Sequence, residues 1–321
     1  MCSDMNAEDV TSEQARSAVA RIVPWLEKGS AGSTSENKCF TCHNHGIPIL
    51  ALVEAKRHGF DVDVANLTAQ LEHTETHLER GRERYLQGKG QGGGVLTAGY
   101  ALWSLEAGSV TTNETTSAAA SFLLQNQSDK DHWTKQGKRP PSDGNEFTAT
   151  YVALRGLQSY CPSADNTAKE ARFEKVGEWL VKTQPKDTED SVFRLKALEL
   201  VHADETDIQS AVDLLLAQQR IDGGWGQSAE MESDAYATGT VMAALLKEGG
   251  SAADTDMIRR GTRYLIDSQL EDGTWRVTSR ADGFQPYYET GFPHDEDQFI
   301  SIAASSWATI ALLRTLPAKV E

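Results

Sequence analysis

Leu214-Leu215-Leu216-Ala217-Gln218-Gln219-Arg220-Ile221-Asp222-Gly223-Gly224-Trp225 recurs further along the chain as Tyr264-Leu265-Ile266-Asp267-Ser268-Gln269-Leu270-Glu271-Asp272-Gly273-Thr274-Trp275. Each stretch is the end of an amphipathic helix, then a Gln, then a turn that closes on a Trp. Asp-Gly supplies the positive-φ turn, Gln satisfies backbone groups at a helix end, and the indole covers the turn. A degenerate third copy runs from Phe122-Leu123-Leu124-Gln125 through Asp129 and His132 to Trp133. Recurrence of a helix–turn unit is the mark of a repeat architecture, so it is weighed before any local motif.

Weaker copies fill the remainder. Tyr85-Leu86-Gln87 runs into Gly92-Gly93-Gly94, Trp179-Leu180 runs through Gln184-Pro185, and Trp25-Leu26 runs through a Gly/Ser stretch to Cys39. After each turn comes a second apolar helix rich in small residues: Ile47 to Ala55, Thr97 to Leu105, Thr148 to Leu154, Val192 to Leu200, Ala237 to Leu245 and Ala304 to Leu312. Small residues on every face suit a helix buried all round, whereas the preceding helices carry Lys, Arg and Glu on one face. Six buried helices ringed by six half-exposed ones predict an all-α fold, a closed α6/α6 toroid, spanning 1–321 as one domain. An open solenoid is the alternative. A flexible N-terminal segment at about 1–12 and a long mouth loop at about 276–297 are expected to lie outside the helix pairs.

The chain has 321 residues, 39% hydrophobic and 24% charged, with 31 basic against 47 acidic side chains and a formal charge of −16. Nucleic acids and anionic membranes need a basic footprint, which such a balance withholds. No apolar run approaches the roughly 18 residues of a membrane span. Met1-Cys2 leaves open a lipid anchor at Cys2 or an ordinary surface cysteine. The four cysteines form no disulfide framework in a chain of this size; Cys161 reads as a half-buried bystander.

The Gln-to-Trp repeats resemble the QW motifs of the squalene-hopene cyclase and protein prenyltransferase β-subunit superfamily, whose fold is an α6/α6 toroid. Cys39 to Gly59, Ser233 to Gly239 and Gly291-Phe292-Pro293-His294 to Ser301 resemble bacterial squalene-cyclase-like repeat proteins that carry C-x-x-C-H. The resemblance covers essentially the whole chain and is specific for fold more than for activity. Cyclases of this superfamily protonate an alkene or epoxide with a D-x-D-D acid; Asp61-Val62-Asp63-Val64 and Asp295-Glu296-Asp297-Gln298 are the nearest stretches and neither matches. Full cyclases place their cavity between two barrels, and a single barrel is expected here. The prenyltransferase D-x-C zinc ligand pair is also missing.

Cys39-Phe40-Thr41-Cys42-His43 is the attachment signature for haem c, with two thiols for the vinyl groups and an imidazole for the iron. Covalent haem would place the chain in the periplasm or cell envelope; without it a cytoplasmic location is expected. Zinc is the alternative cofactor, held by Cys39, Cys42 and His43 or His45; a bare dithiol is a third reading. A sixth iron ligand would come from His294, Met231 or His132.

Because every turn leads from an outer to an inner helix, the inner helices begin at one end of the barrel. The expected ring of residues there is Cys39, Cys42, His43, His45, Thr97, Glu146, Phe147, Asp190, Ser233, Asp234, His294, Asp297 and Gln298. Six positive helix ends favour anionic groups at this mouth. Asp234, His294 and Asp297 are the catalytic candidates, although acidic residues at helix starts are commonly caps worth about 0.5–2 kcal/mol. Tyr287 and Tyr288 are read as a lid or a plain loop, and His73 and His77 as a solvated surface. The leading functional expectation is a haem c protein passing electrons to a redox partner or sensing a small ligand. The alternatives are an isoprenoid-handling protein whose Tyr100, Phe147, Tyr151, Tyr236 and Trp307 line an apolar cavity, and a zinc-dependent or carboxylate-dependent enzyme acting at the mouth.

Overall fold

The computed structural model describes residues 10–137, 139–246, 256–282 and 287–317; Cys2 and the start of the N-terminal segment lie outside them. Among these residues there are twelve α-helices and no strand, only two isolated bridges. The outer ring is α1 (Ser12–Glu36), α3 (Val64–Leu86), α5 (Glu114–Gln125), α7 (Asn166–Lys182), α9 (Glu205–Ala217) and α11 (Asp256–Asp267). The inner ring is α2 (Ile47–Arg57), α4 (Gly94–Ala107), α6 (Glu146–Tyr160), α8 (Thr188–Leu200), α10 (Ala235–Leu245) and α12 (Gln298–Thr315). Each inner helix packs against the next, and α12 returns to α2, so the ring closes. The toroid is the predicted one.

The repeated turns work as their residues require. Trp133, Trp225 and Trp275 are fully buried, and each indole Nε1 donates to a carbonyl ten residues back: Leu123 at 2.9 Å, Leu215 at 2.7 Å and Leu265 at 2.8 Å. Those carbonyls end the outer helices, where no intrahelical donor remains. The backbone N–H of each Trp donates to a hydroxyl on the following inner helix, namely Thr150, Thr238 and Ser305. One residue therefore ties outer helix, turn and inner helix together, and deleting such a ring costs about 3–5 kcal/mol.

The Gln residues link neighbours. Gln219 Nε2 donates to Gly223 O in its own turn and to Met257 O at 2.7 Å on α11. Gln269 repeats this with Gly273 O and with Ala18 O at 2.9 Å on α1. The last repeat thus grips the first, and Trp25 Nε1 reinforces the seam by donating to Asp272 O at 2.8 Å.

One expectation about α1 is corrected. The Gly/Ser stretch after Leu26 is helical through to Glu36. Its small residues permit close packing: a Cβ on Gly32 would collide with the Thr290 carbonyl, and one on Gly29 would meet Ile302 Cδ1 at 2.7 Å. The cost of glycine in a helix is offset by contact with the segment that precedes α12.

Midway down the barrel an aromatic layer crosses the bore. Trp103 stands edge-on to Tyr151 at 5.2 Å and lies 6.1 Å from Trp307, and Phe193 completes the set 5.4 Å from Tyr151 and 6.5 Å from Trp307. Such ring pairs add to burial through their quadrupoles. Space remains above the layer, at the N-terminal ends of the inner helices, and below it, at their C-terminal ends.

Candidate functional site

The mouth holds a cavity of about 500 Å³. Its walls come from His43, the Arg139 to Ser142 loop, Tyr236 at the start of α10, and Phe299, Ile300 and Ala303 of α12; Tyr287 and Tyr288 cover it. Gln298 anchors that cover. Its buried amide accepts from Thr290 N at 2.9 Å and from the Thr290 hydroxyl, and donates to Tyr288 O at 3.1 Å. Asn44 Nδ2, on the π-helical turn Cys42–Gly46, donates to the Tyr288 hydroxyl at 3.3 Å. One part of the wall is aromatic and apolar, through Tyr236, Tyr287, Tyr288, Phe299 and Ile300, and the rim is polar, with Arg139, Asp282, Glu296 and Asp297; an apolar seat beside a few placed polar groups is a usual build for a small-molecule site.

Behind the wall lies a carboxyl that the sequence reading missed. Glu189, in the first turn of α8, is only 4% exposed. Its Oε1 accepts from Tyr236 OH at 3.2 Å and from Thr148 Oγ1 at 3.3 Å, while Oε2 is buried without a partner. Desolvation, helped by the Asp187 charge, raises its pKa to about 8, so it holds its proton at neutral pH. With Oε1 committed to two donors, Oε2 is the oxygen that carries the proton. Tyr100 stands close enough to Glu189 and Cys42 for their charges to raise its own pKa further, and its hydroxyl too is buried and unpartnered. In sequence only Asp190 stands out here, as an acid at a helix start; the inward turn of Glu189 follows from the buried register of α8.

Of the predicted ring, His43 and Asp297 line the cavity. Asp297 is held by Arg276 at 3.0 Å and accepts from Ser279 N at 2.8 Å, so it anchors the loop. Asp234 caps α10, accepting from Ala237 N at 2.8 Å and from Gln227 Nε2 at 2.6 Å; burial raises its pKa. His294 turns to Thr274 Oγ1 at 2.7 Å beneath the last repeat turn. The three catalytic candidates are not brought to one point. Thr97 binds Gly92 O within its own turn, Ser233 binds Asp222, Phe147 stacks outward on Trp179, and Glu146 lies beside His132. Asp190 accepts from Lys186 N at 3.0 Å, and burial raises its pKa to about 6. Met231 is half-buried in a surface turn, and His132 stacks on Trp179 at 4.3 Å.

The Cys-x-x-Cys-His segment is split between two environments. Cys39 is exposed on the α3 side beside His73, whereas Cys42 turns inward to Ser142 Oγ at 3.9 Å. Burial and the nearby Asp143 raise the Cys42 thiol to about 12, far from the thiolate that metal ligation needs. His43 packs edge-on against Phe299 at 5.4 Å, and desolvation lowers its pKa to about 3. His45 faces away from the mouth, stacked on His73 at 4.7 Å and near Phe40. His77 joins this cluster through Phe40 and is buried, so His73 and His77 do not form the solvated face expected of them. Among the described residues no three His, Cys, Asp or Glu side chains are grouped to hold a metal ion.

Comparison with known proteins points the same way. The family profile described as the squalene-hopene cyclase C-terminal domain matches residues 176–308. Over 104 residues the chain is 34% identical to squalene–hopene cyclase of Bradyrhizobium diazoefficiens, a stretch covering 14% of that protein. It is 32% identical over 97 residues to lanosterol synthase of Candida albicans, covering 13% of it. The chain therefore spans a small part of these relatives. Among solved structures, the type II terpene cyclase MstE from Scytonema superposes with a TM-score of 0.62 at 14% identity, covering 96% of this chain and 100% of that one. A possible GH105 family member from Salmonella enterica superposes at 0.54 with 11% identity, 97% of this chain and 95% of that one, so the fold alone does not set the chemistry.

One functional expectation is overturned. The haem c reading gives way to the cyclase-like one, because the family profile, the curated relatives and the type II terpene cyclase structures all point to cyclases. The expected single barrel is the fold observed, and a type II terpene cyclase chain is covered entirely by this one. Repeats, ring closure and matched sequence together make the chain a squalene-cyclase-like α/α toroid.

Proposed function

We propose that this protein is a terpenoid-cyclase-like enzyme that encloses an isoprenoid chain in the mouth cavity and starts its cyclisation with the carboxylic acid of Glu189. The observation that carries the reading is a buried, protonated carboxyl, bonded to Tyr236, directly behind an aromatic-walled cavity. Support comes also from MstE, a variant of which binds geranylgeranyl dihydroxybenzoate as substrate in the same fold.

In this scheme the Tyr236 ring, which stands between Glu189 and the cavity, turns aside on substrate binding; the proton then leaves Oε2 for an alkene carbon, the π electrons form the new C–H bond, and the cation is attacked by the next double bond. Loss of a proton from the final cation ends the sequence. Tyr236 and Thr148 are already placed on Oε1 to stabilise the carboxylate that forms. The raised pKa keeps the acid loaded at neutral pH at some cost in acid strength, the usual compromise of general acid catalysis. Tyr236, Tyr288 and Phe299 offer ring faces to the cation. No D-x-D-D acid is required.

The test is incubation with polyprenyl substrates, free and attached to an aromatic head, followed by mass spectrometry of the products. Glu189→Gln keeps the shape and both donors' partner oxygen but has no acidic proton. It should retain bound substrate and lower turnover by about a hundredfold or more. Cyclised product formed equally well by Glu189→Gln would overturn the assignment of the acid. Failure of every polyprenyl compound to bind would overturn the substrate class.

A further inference from the structure

The aromatic layer leaves a second, separate compartment at the opposite end of the barrel, a cavity of about 350 Å³ among the C-terminal ends of the inner helices. One side chain there has no counterpart in the mouth chemistry. Lys196 rises from α8 into the centre of the layer, its Nζ 4.6 Å from the Trp103 ring, 4.9 Å from Tyr151, 5.0 Å from Trp307 and 5.4 Å from Phe193. It lines the cavity wall and makes no hydrogen bond or ion pair with any described residue.

We propose that Lys196 is a nucleophilic amine that condenses with an apolar aldehyde entering this lower cavity. Trp103, Tyr151, Leu200, Ala243 and Ala244 supply an apolar seat beside the amine, and the remaining wall is polar.

A lysine becomes a nucleophile when its ammonium is disfavoured by dehydration or by neighbouring cations. Both conditions are met. Burial, then the guanidiniums of Arg314 and Arg155, lower its pKa to about 7. Those guanidiniums hold carboxylates of their own, Glu54 at 2.9 Å and Glu106 at 2.9 Å, so neither acid is spent on Lys196. Glu189, once ionised, and Glu199, one turn along α8, pull the other way, as do the four ring faces, which attract an ammonium. His202 lies at the cavity edge.

The step balances without an oxidant. The Nζ lone pair attacks the carbonyl carbon, the C=O π pair moves to oxygen, and a proton passes from nitrogen to that oxygen. The carbinolamine then loses water as nitrogen forms the C=N bond, so amine plus aldehyde gives imine plus water.

The intact chain, treated with limiting benzaldehyde and cyanoborohydride, would be mapped by peptide mass spectrometry across pH 5 to 9. The expected result is that the Lys196 peptide gains its benzyl group at least about tenfold faster than exposed lysines at pH 7. Its rate should reach half-maximum near pH 7, and Lys196→Met should lose the fast phase alone. Labelling of Lys196 no faster than that of exposed Lys182 would mean that the rings hold it as an ammonium, and would overturn the proposal. Failure here is distinguishable from failure of the Glu189 reading, which is judged by polyprenyl products and not by amine labelling.

Discussion

Glu189 shows what a single carboxyl gains from its surroundings. Its neighbours in sequence are acids that cap and solvate, yet closure of the inner ring places this one among Thr148, Tyr236 and Tyr100. A local reading identifies Asp187 as the kind of residue that caps α8, which it does. That reading has no access to which of three adjacent acids faces inward. The consequence for stability has a definite sign. Its pKa is about 8 in the folded chain against 4.5 when solvated, so the native state keeps a proton that the unfolded chain has lost. That contribution is complete below pH 4.5 and fades as pH climbs through 8. Between pH 6 and pH 9 the wild-type protein should lose about 3 kcal/mol on this account. Glu189→Gln, which has nothing to ionise, should lose that much less over the same interval. Urea unfolding of both proteins at the two pH values checks it, and parallel curves would refute the buried-acid assignment.

The turns and helices divide cleanly between what was legible and what was not. Gln, Asp-Gly and Trp carry their own local chemistry, so the repeats announced their structure before any tertiary contact was known. The α1 stretch did not, because its glycines and serines serve a partner that lies far away in sequence, the segment around Thr290. Cys39 to His43 failed for a related reason. Spacing says nothing about the surroundings of each thiol: Cys39 is exposed, whereas Cys42, at the start of a π-helical turn, is part-buried against Ser142. His73 and His77 looked solvated among glutamates until His45 and Phe40 were seen to cover them.

Glycine separates turn from helix in a way that can be measured. Gly273 has φ +89°, and a Cβ would meet the Arg21 side chain at 2.8 Å, whereas at Gly177 in α7 the nearest atom would be 3.7 Å away. Gly273→Ala should therefore destabilise by about 1–3 kcal/mol, while Gly177→Ala should stabilise by about 0.5–1 kcal/mol. Thermal or urea midpoints of the two variants should move in opposite directions. A matched shift of both would show that the Asp-Gly turn tolerates a side chain and that its glycine is not conformationally required.

Closure of the ring gives the molecule a seam, and the seam is strong. Gln269 and Trp25 join the last turn to α1, while α1 also packs on α12 and α2. The contact is part of one continuous core, in contrast to a linear solenoid, where each repeat touches only its neighbours and the two ends never meet. Removal of residues 10–36 should therefore abolish cooperative unfolding of the remainder and expose a dye-binding apolar face. Calorimetry and dye fluorescence would report it. A shortened chain that still melted in one sharp transition would mean that five helix pairs suffice and that closure contributes little.

The plug of Trp103, Tyr151, Phe193 and Trp307 has a further consequence for how the protein can be inhibited. Compounds lodged at the rim and compounds lodged at the floor do not share space, so neither displaces the other by simple exclusion. A floor-directed blocker would leave the apparent affinity for a rim occupant untouched, and any effect it had on turnover would be noncompetitive.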